Sequence, residues 1–310
     1  ISNTGETLLY HALFMGLCIA IVLRGVHGGI ERACEILMPT LVLFLLLLMI
    51  RSLTLDGAME GVGFYLNPDF SKISVNTILI ALGQAFFSLS LGMGCMITYG
   101  SYLSEKENLT SSTVYVVMFD TLIALLVGMV IFPAVFAMGL EPTQGKGLVF
   151  NVLPVVFASM PMGHLVSVFF FFLLAIAAIT SGISLLEVVV AYFIDQRGWP
   201  RKKAVIIIGL VIFAFGVPSG LSSGVMAEWK LMGKTFFDHV ANISTNYLLP
   251  LGGMLTALFV GWVWGTKNAH LEIEKNENQF GFPWAQGWEF LIRYITPVAV
   301  GIVFLAKVLP

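Results

Sequence analysis

Thr180 and Ser181 follow Ala177 by three and four residues in the segment AAITSGISLLE, residues 177–187. In a helix, a Ser or Thr hydroxyl bonds the carbonyl three or four residues back, which for both of them is that of Ala177. The same geometry brings one carbonyl and two hydroxyls to a common point. A small hard cation, which takes several oxygen ligands, can replace the internal bonds there if other helices supply the rest. The plain alternative is a self-satisfied pair. Asp120 lies in VVMFDTLIALLVGMVIF with no basic residue between it and Lys146. An ionised carboxylate at such a depth in a membrane costs at least about 2.5 kcal/mol, so Asp120 is expected to face a bundle interior and to carry function. Its alternative is an interfacial carboxylate paired with Lys or Arg. Glu187, about two turns before Asp195, reads as a hydrogen-bonded group facing the cytoplasmic half.

These groups need a scaffold, and the composition names its solvent. Of the 310 residues, 58% are hydrophobic and 11% charged, and the mean hydropathy is +0.92. A water-soluble globule is excluded. A net charge of −2 gives no sign of a nucleic-acid partner. Cys18, Cys34 and Cys95 lack metal-ligand or framework spacing and read as small buried hydrophobes. The chain starts at Ile1 with no initiator Met or cleavable signal, so its N-terminus reads as a cut. Spanning a hydrocarbon core takes about 20 apolar residues as helix. Gaps between charges then give eight spans, near 8–24, 35–53, 75–103, 113–139, 164–195, 203–218, 238–264 and 287–307. The stretch 140–163 is too short and too Pro-interrupted to cross, and reads as an extracellular loop of short helices within a single transmembrane domain, 1–310. Alternation of the loops puts ten Lys and Arg residues on one side, including the Arg197–Lys203 cluster, and six on the other. The first side is therefore assigned to the cytoplasm.

Two spans carry irregularities. The third lies in a charge-free gap of 32 residues with GQAFFSLSLGMG (83–94) at its centre. Small residues clustered in mid-membrane fit a discontinuous helix whose unwound backbone faces a cavity. They also fit a long tilted helix whose glycines let neighbours pack closely. In the second span, Gly29 and Pro39 are separated by nine residues. Pro39 cannot donate to the carbonyl four residues back, so this turn can unwind, although a plain N-terminal proline would look the same.

The segments GQAFFSLSLGMGCMITYGSYL (83–103), FDTLIALLVGMVIFPAVFAMGL (119–140), AAITSGISLLEVVVAYFID (177–195) and LLPLGGM (248–254) resemble the bacterial neurotransmitter:sodium symporters, the LeuT-type amino-acid transporters. The resemblance extends over essentially the whole chain and matches its eight spans to the fourth to eleventh of that family. It implies an all-α membrane protein of the inverted-repeat helical bundle type that lacks its first three helices. A separate N-terminal chain or a full-length parent would supply those helices. It further implies sodium ions as the coupling ligands, no organic cofactor, an amino-acid substrate and a place in the bacterial inner membrane. By the same resemblance Phe87 caps the substrate, Ser90 and Gly92 belong to the unwound stretch that touches it, and Met93, Ser184 and Leu185 form the pocket wall. Ser88 resembles the hydroxyl ligand of the first sodium site, and Asp120 stands where many members have an asparagine ligand of that ion. Ala177, Thr180 and Ser181 resemble the second sodium site. Tyr102 and Asp195 resemble cytoplasmic gate residues. The outer-gate aspartate of the family falls at Ala241, with Asp238 and Asn242 nearby.

Sodium-coupled uptake of a neutral, hydrophobic or aromatic amino acid is the reading this supports. A proton-coupled transporter of the same fold, with Asp120 or Glu187 as carrier, is the close competitor. A channel would need a carbonyl filter or a ring of like charges, and nothing in the sequence resembles either. An intramembrane serine protease would use Gly182-Ile-Ser184 or Gly220-Leu-Ser222. It would also need a base within hydrogen-bond reach of the serine, and His11, His27, His164, His239 and His270 all lie at or near span ends.

Overall fold

Backbone in hydrocarbon must satisfy its own N–H and C=O groups, which a helix does within one segment, and the chain is helical nearly throughout its described residues. In this computed structural model those residues are 3–104, 106–140, 148–159, 162–275 and 285–308. In chain order, α1 is Thr4–Leu23, α2 Arg32–Leu53, α3 Ala58–Leu66, α4 Val75–Ser88, α5 Cys95–Gly100, α6 Leu109–Ala137 and α7 Leu153–Ser159. Then come α8 at Gly163–Arg197, α9 at Arg201–Leu221, α10 at Phe236–Asn242, α11 at Leu249–Leu258, α12 at Thr266–Lys275, α13 at Ala285–Phe290 and α14 at Thr296–Val308. Among the described residues, seven helical rods are long and apolar enough to cross a membrane: Thr4–Leu23, Val26–Leu53, Leu109–Ala137, Gly163–Arg197, Arg201–Leu221, Phe236–Glu274 and Ala285–Val308. The remaining expected span is interrupted, as α4 and α5. The chain is thus an all-α, multi-pass membrane protein. Of the loop expected at 140–163, residues 141–147 and 160–161 lie outside the described ones, and α7 occupies 153–159.

Three of the rods contain or begin with π-helical turns, four turns in all, and prolines explain two of these. Pro250 has no N–H for the Asn246 carbonyl, and Pro297 none for that of Arg293. Each follows a π-helical turn, at Ile243–Leu248 and Leu291–Ile295. The Arg293 carbonyl instead accepts the Trp262 indole N–H at 3.1 Å, and Arg293 Nε donates back to the Gly261 carbonyl at 3.2 Å. Glu289 accepts from Thr266 Oγ1 at 2.6 Å and pairs with Arg293 at 3.0 Å. The Gly29 turn is not unwound: Val26–Glu31 is a π-helical turn, and α2 runs on through Pro39.

The chain folds as two compact units. The first comprises Ile1–Gly25, Ser74–Val117 and Ile183–Pro310, the second Val26–Ile73 and Met118–Gly182. In the second, Leu41, Leu45 and Leu48 of α2 bury one face against Val130 and Val135 of α6, Phe157 of α7, and Phe170 and Leu173 of α8. Spacings of three and four residues put the α2 and α8 sets each on one stripe. Within this core the Ser52 hydroxyl donates to the Val130 carbonyl at 2.7 Å. In the first unit, α1 packs along α9 and α11 along α14. Cys18 and Cys95 are buried and Cys34 half-buried, all as free thiols.

Candidate functional site

The first unit holds the break. Ser90 turns left-handed, at φ +54°, and there α4 ends. Its N–H reaches the Phe87 carbonyl at 3.1 Å, and the Leu91 N–H reaches that of Phe86 at 2.9 Å, the paired closure that stops many helices. Glycine is usual at that position, and the serine costs about 1–2 kcal/mol. Gly92 and Gly94 follow at φ +78° and +84°, where only glycine is at ease, and α5 begins at Cys95. The break therefore spans 89–94, shorter than the 83–94 expected, because one interior glycine, at Gly83, costs a helix only about 1 kcal/mol. Phe87 and Ser88 are the last residues of α4, and Ser90, Gly92 and Met93 lie in the break. Phe87 is 49% exposed and lines a cavity of about 280 Å³ with Ile80, Gln84, Asn246 and Val303.

Beyond the break, Tyr99 donates its hydroxyl to Ser184 Oγ at 2.7 Å. Tyr102, three residues on, donates to Oε1 of Glu187, three residues on from Ser184, at 2.7 Å. Matched spacings thus tie the second half of the interrupted span to α8. Glu187 is 0% exposed, and a buried carboxylate stays charged only when paired and hydrogen-bonded. Arg201, the first residue of α9, meets it with Nη1 at 3.0 Å from Oε1 and Nη2 at 2.6 Å from Oε2. A cation at a helix N-terminus opposes the helix dipole, an effect the facing carboxylate offsets. Arg201 Nε also donates to the Val22 carbonyl in the last turn of α1 at 2.9 Å. In the sequence Arg201 reads only as one of the cytoplasmic charges. Its signal was Glu187 itself, since a carboxylate inside an apolar helix requires a cationic partner and the nearest cluster begins at Arg197.

In the second unit, Thr180 Oγ1 donates to the Ala177 carbonyl at 3.0 Å. Ala177 packs against that unit's core, and Ser181 on the next position is exposed. Asp120 is half-buried on α6. Ser88 belongs to the first unit, and Asp120, Ala177, Thr180 and Ser181 to the second. Leu185 is 47% exposed, one residue after Ser184. Asp195 is exposed near the end of α8, and the hydroxyl proton of Tyr102 goes to Glu187 instead. Asp238 accepts from the Thr235 hydroxyl at 2.7 Å and its N–H at 3.3 Å, which caps the first turn of α10, while Ala241 lies one turn later. The two candidate nucleophiles are engaged elsewhere. Ser184 accepts from Tyr99, and Ser222 donates to the Pro218 carbonyl at 2.8 Å and accepts from the Phe237 N–H at 3.1 Å.

Known proteins resemble the chain over its whole length. Residues 1–310 match the sodium:neurotransmitter symporter family. The chain is 42% identical over 305 residues to YhdH, a sodium-dependent transporter of Bacillus subtilis (strain 168), covering 98% of this chain and 67% of that one. To a sodium-dependent transporter of Haemophilus influenzae it is 37% identical over 303 residues, covering 97% and 65%. The crystal structure of MhsT in complex with L-phenylalanine superposes with a TM-score of 0.87 at 47% identity, covering 99% of this chain and 69% of that one. The chain thus spans about two thirds of the length of these relatives.

Proposed function

We propose, since this chain belongs to the sodium:neurotransmitter symporter family, that it forms part of a transporter that couples uptake of a neutral amino acid to sodium by alternating access. The family is one of transporters, not enzymes. The observation that carries the reading is the break at 89–94, a left-handed serine and two left-handed glycines in mid-span. Backbone of that kind is tolerated at membrane depth only where it lines a cavity or is buried in protein.

Substrate is held by the residues around the break. Phe87 offers an aromatic face, Met93 and Leu185 apolar walls, and Ser90, Gly92 and Ser184 polar backbone and hydroxyl groups. None of these wall positions carries a charge to receive a charged side chain. A hydrophobic or aromatic amino acid fits, in keeping with the phenylalanine in the MhsT complex. Ser88 supplies a hydroxyl to one sodium ion. The Ala177 carbonyl with the Thr180 and Ser181 hydroxyls supplies oxygens to another, whose binding replaces the internal Thr180 bond. Asp120 lowers the electrostatic cost of cations in a poorly solvated site. On the side assigned to the cytoplasm, Tyr102, Glu187 and Arg201 form a latch whose bonds must break for that side to open, and exposed Asp195 lies on the same helix as Glu187. The lipid bilayer is the solvent for all of this, with the cell membrane of a bacterium as its location.

The test is uptake of a labelled amino-acid panel by the full-length protein in proteoliposomes with and without an inward sodium gradient. Accumulation that requires sodium supports the reading. Accumulation driven by a proton gradient alone would replace it with the proton-coupled one.

A further inference from the structure

The LLPLGGM segment carries two adjacent glycines whose role the site described so far leaves open. Gly252 and Gly253 lie in α11 with ordinary helical backbone, and glycine is a poor helix former, so conformation is no reason for either. The reason is proximity. A β-carbon on Gly252 would overlap the Gly92 carbonyl oxygen and stand 3.2 Å from its carbon. One on Gly92 would overlap the Leu249 carbonyl oxygen and stand 2.7 Å from the Gly253 nitrogen. One on Gly253 would stand 2.8 Å from the Phe86 ring edge. The broken strand of backbone thus lies directly on the backbone of α11, with the Phe86 ring, just before the break, covering the second glycine.

We propose that Gly252 and Gly253 are positioning residues for the substrate: they form a side-chain-free seat on α11 that sets where the break rests. This rests on the reading of the break as the substrate-binding segment. At Gly252 the obstructing atoms belong to the backbone of Gly92, which has no rotamer to change. An added methyl there must displace the break, and with it the groups that surround the ligand. At Gly253 the obstruction is the edge of a phenyl ring, which can turn aside. The two positions therefore differ in a graded way that general destabilisation of α11 does not produce.

The experiment is uptake kinetics of the full-length protein in proteoliposomes, using whichever labelled amino acid it transports best. Gly252→Ala is expected to raise KM about tenfold or more with the maximal rate within about twofold, because a misplaced binding segment weakens ground-state contacts. Gly253→Ala should raise KM less, and Gly253→Ala with Phe86→Leu should bring it back toward the parent value. Gly16→Ala on α1, which has nothing within 4 Å of its β-carbon, is the control. A KM unchanged in Gly252→Ala, or a loss of maximal rate at constant KM, overturns the seat. If Gly252→Ala does not yield a monodisperse protein, the Gly253 pair decides, and no recovery in the double variant overturns it. Phe87→Ala separates the two levels. An unchanged KM there removes the underlying site reading, whereas a raised KM beside an inert Gly252→Ala removes only the seat.

Discussion

Thr180 gives its hydroxyl to the Ala177 carbonyl at 3.0 Å, which is both the resting state of an ordinary helical threonine and the starting point for a cation site. The two meanings separate on substitution. Thr180→Ala with Ser181→Ala removes two hydroxyl oxygens but no packing volume of consequence. Sodium-dependent amino-acid binding is expected to vanish while the protein stays folded, and unchanged sodium dependence measured by equilibrium binding would leave only the helical bond. Asp120 poses the same question in charge rather than oxygen count. A fixed negative charge reduces the cost of holding cations away from water. Asp120→Asn, nearly isosteric, should therefore weaken apparent sodium affinity or make transport depend on chloride. Uptake measured in chloride and in gluconate checks it, and parental rates in both would mean that the carboxylate carries no mechanistic charge.

The latch at Glu187 belongs to elements, because its members come from the turn after α5, from α8, α9 and the end of α1. A buried ion pair gains little net energy, but removing one partner strands the other, at a cost of about 3–5 kcal/mol. Arg201→Met alone is expected to lower the melting temperature in detergent markedly, and Arg201→Met with Glu187→Met to recover most of the loss. Equal damage in single and double variants would show that the two side chains act separately. Spans were legible at this scale because charge-free length is a one-dimensional property: the seven membrane-length rods and the interrupted one fall where gaps between charges put them. The break was legible as a region, from its glycines, but not to the residue. Its edge is set by a left-handed Ser90, a conformation that residue type disfavours. Arg201 was legible only as one member of the basic cluster nearest to Glu187, and the Gly252–Gly253 seat not at all, since both contacts join residues more than ten positions apart.

At the scale of the molecule, the proposed site makes substrate choice a question of which side chains it offers to the ligand. Two large apolar groups of the candidate site, Phe87 and Leu185, are each about half exposed. Met93, half-buried in the break, adds an unbranched thioether that adapts to irregular shapes. On the proposed reading, an aromatic or branched substrate would cover this surface and gain roughly 25 cal/mol per Å² of apolar area removed from water. A lysine or glutamate side chain would have to bury a charge among these positions unpaired, which costs far more than its methylenes gain. The selectivity expected is therefore one of sign as well as degree. In competition against a labelled hydrophobic amino acid at equal concentrations, unlabelled tryptophan, phenylalanine and leucine should suppress sodium-driven uptake, and lysine and glutamate should leave it near the uncompeted rate. Stronger competition by lysine or glutamate than by tryptophan or leucine would mean that the ligand's side chain lies elsewhere than against Phe87, Met93 and Leu185. The same panel run on Met93→Ala tests the wall directly. Enlarging that side should shift preference toward the bulkiest competitor, tryptophan, and weaken leucine, whose contacts with the thioether are lost.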